Sequence, residues 1–177
     1  MIGYGHLVDR ADRRKSEASH YRPVVMVLVP AAAILFQVYV PVFFAYLGYL
    51  ELPLLVTVYF AVMRRQPVAG LLYGAAIGLA QDSLSHQPVG IFGIIKTLVG
   101  YISASLSLRL DMENPGVRFA LAFGFVLFHQ AMYWVLATTL IGNPLEFGWT
   151  ETVVTGVMNG AVAVPFFHLL DKLKESG

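Results

Sequence analysis

The chain has 177 residues, 57% hydrophobic and 13% charged, with a formal net charge of +1 and no cysteine. Its mean hydropathy of +0.66 lies far outside the range of a soluble domain of this length and predicts an integral membrane protein. Dispersed positive charge leaves no basic face to follow phosphates, so nucleic acid is excluded as a partner, and the lack of cysteine excludes disulfides, thiolate metal sites and cysteine nucleophiles.

Residues 1–22 are polar and basic, and are expected to form a cytoplasmic tail that sets topology and is attracted to anionic lipids, with a docking site for a cytoplasmic partner as the alternative. The apolar run that follows has no cleavage site at its end and reads as a retained anchor. Residues 23–50 carry no charge, Glu51 interrupts, and 52–63 are again uncharged up to Arg64 and Arg65. A bilayer core of about 30 Å asks for roughly 20 apolar residues per helix, so residues 24–63 hold two spans joined by a tight turn near Leu47 to Pro53. Pro53 suits the first turn of the second helix, where a missing N–H costs nothing. Four further spans are predicted at about 68–82, 89–108, 119–141 and 152–170. The organisation is then a tail over 1–22, a six-helix transmembrane domain over 23–172 and a C-terminal tail over 173–177.

Lysine and arginine favour the cytoplasmic side of short loops. With six spans and both termini cytoplasmic, eleven of the twelve cations fall inside: Arg10, Arg13, Arg14, Lys15, Arg22, Arg64, Arg65, Arg109, Arg118, Lys172 and Lys174. The outer loops then hold Glu51, Glu146 and Glu151, while Lys96 lies within the fourth span. Removing the second span would put five cations inside and six outside, so six spans is the reading the charges support. Tyr46, Tyr49, Phe147 and Trp149 fit aromatic anchors at the outer interface.

The third span carries Gly70, Gly74 and Gly78 at four-residue spacing, one face of a helix, and ends in Asp82. The fourth answers with Gly93, Thr97, Gly100 and Ala104. Lipid supplies little hydrophobic drive between helices, so small residues that let backbones approach are expected to pack these two into a tight antiparallel hairpin. Asp82 at a helix C-terminus opposes the macrodipole. Lys96 lies roughly 10 Å beneath the outer end of its helix, counting 1.5 Å per residue. Each charge at that depth is expected either to pair or to snorkel toward the interface. Asp82 can reach Lys96, Ser83, His86 or the free N–H groups that open helix four.

The remaining intramembrane polar residues are Gln37, His129, Gln130 and Asn159, the last between Gly156 and Gly160. Interhelical hydrogen bonding is the expected role of His129 and Asn159, with Gly156 and Gly160 as packing positions. His86, His129 and His168 have no metal-ligand spacing, no serine-histidine or paired-aspartate constellation is evident, and the loops are too short for a soluble catalytic domain. No catalytic, cofactor or metal site is therefore expected.

The stretch PVAGLLYGAAIGLAQDSLSHQPVGIFGIIKTLVGY, residues 67–101, resembles the signature region of the bacterial rod-shape-determining MreD family. It has a glycine-spaced helix ending in Asp, a short polar loop closing with Pro-x-Gly, and an apolar helix ending in Gly-Tyr. The matching positions are Gly70, Gly74, Gly78, Asp82, Pro88, Gly90, Gly100 and Tyr101. Lys96 and the long basic tail have no counterpart in that pattern. The resemblance implies a non-enzymatic, multi-pass component of the bacterial inner membrane. It would act in the cell-elongation machinery of peptidoglycan synthesis, beside MreC, MreB filaments, RodA and a penicillin-binding protein, and in contact with membrane lipids. It also implies an architecture similar to the S components of energy-coupling-factor vitamin transporters, which is the alternative function. S components commonly dock through an A-x-x-x-A face on the first helix. Here Ala31, Ala32 and Ala33 are followed four residues on by Leu35, Phe36 and Gln37, so that face is missing.

Overall fold

Proline lies in the first turn of four of the described helices, because a residue with no N–H and a fixed φ is best tolerated where the helix has no hydrogen bond to lose: these are Pro23, Pro53, Pro67 and Pro115. The computed structural model describes residues 23–85, 90–140, 142 and 146–173. The tail 1–22, His86, Pro88 and Lys174 lie outside the described residues. Six α-helices and one 3-10 turn follow in order: α1 (Pro23–Phe43), the turn η1 (Ala45–Tyr49), α2 (Leu52–Arg64), α3 (Pro67–Leu84), α4 (Ile91–Leu106), α5 (Pro115–Leu140) and α6 (Trp149–Asp171). No strand occurs among the described residues.

The helices stand in the order of the six expected spans, though they are not equally suited to a bilayer. Four units are long and apolar enough to cross: α1, the stretch Ala45–Arg64 formed by η1 and α2, α5 and α6. The apolar helix α4 has only 16 residues. The 18 residues of α3 include three glycines and, in the last turn, Gln81, Asp82 and Ser83, which dilute its apolar character. α5 begins four residues before the expected boundary. Asn114 accounts for this, since its side chain accepts the Gly116 N–H at 2.8 Å and its carbonyl accepts the N–H groups of Val117 and Arg118. Arg118, expected in a loop, is thereby drawn into the first turn of α5.

The shortest helix is the centre. Every residue of α2 from Pro53 to Met63 is buried, as expected of a helix that is apolar on all sides. α2 alone touches all five other helices. Around it α1, α3, α4, α5 and α6 follow one another as neighbours, and η1 closes the circuit by touching both α6 and α1. The core is filled by Leu54, Tyr59 and Phe60 of α2 with Ile95, Val99 and Val126 from α4 and α5. Every peripheral helix turns large apolar side chains outward, among them Val27, Leu72, Ile94, Leu140 and Val154, whereas α2 exposes none. Apolar surface of that extent needs lipid around it.

Candidate functional site

The hairpin of α3 and α4 is built on a register in which four steps forward on one helix match four steps back on the other. Gly70 lies opposite Gly100, Gly74 opposite Lys96 and Thr97, and Gly78 opposite Phe92 and Gly93. The approach is backbone to backbone. A Cβ on Gly74 would stand 2.7 Å from the Lys96 carbonyl carbon, and one on Gly78 would stand 2.7 Å from Gly93 Cα. Gly93 meets a side chain instead, because its Cβ would stand 2.9 Å from Leu79 Cδ2.

One more four-residue step along this face leads to Asp82. Its side chain lands on the opening turn of α4, where three backbone N–H groups point at it. Gly90 and Gly93 donate to Oδ2 at 3.0 and 2.9 Å, and Phe92 donates to Oδ1 at 3.1 Å. The residue is 1% exposed. Asp82 thus opposes the dipole of its own helix and satisfies that of the next, supplying the cap that Gly90 cannot. Gly90 adopts φ 107°, the left-handed region in which glycine carries no Cβ penalty. Among the partners open to Asp82 the structure selects these amides. Ser83 donates to the Leu79 carbonyl of its own helix, and Asp82 forms no ion pair with Lys96.

Lys96 is fully buried. Its Nζ makes no hydrogen bond among the described residues and lies 4.7 Å from the centre of the Phe92 ring, an attractive placement for a cation over a π face. Glu51 and Asp82 are the carboxylates whose charge reaches it. The same Phe92 ring stacks with His129 at 5.7 Å and with Tyr133 at 5.9 Å. His129 is therefore held by stacking rather than by the interhelical hydrogen bond expected of it, and neither ring nitrogen has a partner among the described residues.

Asn159 does join elements. Its Nδ2 donates to the Tyr49 carbonyl at 2.7 Å and to the Thr155 carbonyl at 2.9 Å, and its Oδ1 accepts the Glu51 N–H at 2.8 Å. One amide thereby ties η1 and the start of α2 to α6. Gly156 and Gly160, on either side, receive rings rather than backbone. Their Cβ positions would stand 2.9 Å from Phe123 Cδ2 and 2.8 Å from Phe119 Cε2. Gln37 donates to the Gly48 carbonyl at 3.4 Å, a marginal bond.

A second polar cluster, at the opposite end of the bundle, was not legible in the sequence. Asp171 at the end of α6 accepts from Tyr59 of α2 at 2.8 Å and pairs with Arg118 of α5 at 2.7 Å. The Arg118 Nε also donates to the Met112 carbonyl at 2.7 Å. The available signal was an arginine and an aspartate on the same side of the membrane, each at the end of a helix. Among the described residues no three His, Asp or Glu side chains converge as a metal site.

All-helical architecture, apolar outward faces and polar groups that join helices define an α-helical membrane protein. The family profile described as rod shape-determining protein MreD matches residues 18–175, nearly the entire chain, and the chain belongs to the MreD family. No curated protein and no solved structure matches it. The family assigns a role in rod-shape determination and is not a known enzyme family.

Proposed function

We propose that this protein is a non-catalytic scaffold of the bacterial wall-elongation complex. In this reading it sits in the inner membrane as six spans with both termini cytoplasmic, binds MreC, and through it links MreB filaments to RodA and a penicillin-binding protein. The observation that carries the reading is the match to MreD over residues 18–175. The polar chemistry supports it, because Asp82 and Asn159 direct their oxygens and N–H groups to backbone partners within the bundle. A rigid hairpin of α3 and α4 offers a fixed surface for other membrane helices, as a scaffold requires.

Affinity purification of the full chain from its host in mild detergent tests this. Recovery of MreC, together with rounding of a rod-shaped host on depletion, is the expected result. Recovery of transporter ATPases in place of MreC would move the chain to the S-component reading, which the missing A-x-x-x-A face on α1 argues against.

A further inference from the structure

At the end of the bundle that carries η1, a cavity of about 320 Å³ opens between η1, α5 and the start of α6. That volume falls within the range of small-ligand sites, roughly 300–1,000 Å³. Its walls combine two kinds of group. Tyr49, Tyr133, Trp134 and Phe147 supply aromatic surface, and Glu146 and Glu151 supply two carboxylates. No lysine or arginine lines it. Neither carboxylate has an ion-pair partner among the described residues. The rings are fixed against one another, Trp134 edge-on to Phe147 at 5.8 Å and Phe147 edge-on to Trp149 at 4.7 Å.

We propose that this cleft binds the ammonium headgroup of an aminophospholipid of the outer leaflet. Aromatic faces attract an organic cation through their quadrupoles, and carboxylates accept N–H bonds from a primary ammonium that a quaternary one cannot offer. The same carboxylates repel the phosphate of an anionic headgroup that has no cation of its own. Position selects a lipid over a dissolved amine. In the orientation that the distribution of lysine and arginine favours, this end of the bundle lies at the outer interface, where a lipid holds its headgroup while its chains stay in the bilayer against the outward apolar faces of the helices. A soluble amine has no chains to keep there. The cleft is separate from the α3 and α4 hairpin, and the inference does not depend on which proteins the scaffold binds.

The test is native mass spectrometry of the full chain in detergent with equimolar phosphatidylethanolamine, phosphatidylcholine and phosphatidylglycerol of identical acyl chains. Phosphatidylethanolamine should be retained about fivefold over phosphatidylglycerol, with phosphatidylcholine between them. The double variant Glu146→Gln/Glu151→Gln should bring the three to parity. Both glutamates are exposed, and an unchanged thermal midpoint will show that the fold is kept. Trp134→Leu, which removes one ring and leaves both carboxylates, should reduce the preference by at least half. Equal retention of phosphatidylglycerol by the parent chain, or a preference that survives the double variant, would overturn the proposal. Displacement of the lipid by an equal concentration of glycerophosphoethanolamine, the headgroup without chains, would overturn the lipid as the ligand.

Discussion

Asp82 is the residue on which the hairpin turns, since one buried carboxylate satisfies three N–H groups of a neighbouring helix. Asp82→Ala leaves those donors buried without an acceptor, at a cost of about 1–3 kcal/mol. Asp82→Asn keeps one oxygen but turns an NH2 toward other donors, and should fall between alanine and the parent. Loss of monodisperse protein on heating in detergent will rank the three. Lys96 presents a different balance, because its charge is buried without a hydrogen bond and answers to Glu51 and Asp82 through space. Removing one member of such a group leaves the other charge uncompensated. Lys96→Met and Glu51→Gln should each destabilise, and the double variant should lose less than the sum of the singles by about 1 kcal/mol. Additive losses in the same heating assay would show that the two charges do not interact.

At the level of elements, two kinds of glycine packing coexist. In α3 the glycines face carbonyl groups of α4, and backbone cannot yield as a side chain can. In α6 they face the rings of Phe119 and Phe123, which can rotate. Gly74→Ala should therefore separate α3 from α4 and lower the amount of folded protein severalfold. Gly124→Ala is the control, because nothing lies within 4 Å of its Cβ position and alanine is the better helix former by up to about 1 kcal/mol. Membrane-fraction yield of the two variants separates a close approach from a mere loss of glycine. The helix α2 shows how an element of 13 residues can be indispensable. It contributes no outward apolar face, yet every other helix packs on it.

For the whole molecule, the polar locks sit at both ends of the bundle. Asp82 and Asn159 join elements at one end, and Asp171 with Tyr59 and Arg118 joins α6, α2 and α5 at the other. The first end carries η1, Glu146 and Glu151, and the second carries Arg118, Arg64 and Lys172; we propose from this charge distribution that the second end faces inward. Single cysteines test that orientation cleanly in a chain that has none. A cysteine at Glu146 should react with an impermeant thiol reagent in intact cells, and one at Glu113 should react only after lysis. Both positions are exposed, so a reversed pattern would reverse the orientation.

Composition, charge punctuation and glycine spacing by themselves determined an all-helical membrane protein, the number and order of the described helices, and the pairing of α3 with α4. These follow from one-dimensional rules, since burial in lipid requires apolar runs of a set length and close packing requires small residues at a helical period. The candidate polar residues were legible as residue types for the same reason, because ionisable groups stand out in apolar segments. Their partners were not. Asp82 had several acceptable partners within reach of a short turn, and only the register of the two backbones brings its oxygens to the amides of Gly90, Phe92 and Gly93. His129 and Lys96 share one ring, Phe92, because α4 and α5 cross there. Tyr59, Arg118 and Asp171 meet across intervals of 112 and 53 residues. Contacts between segments so distant in the chain depend on how the peripheral helices close around α2, and that is a property of the packed bundle alone.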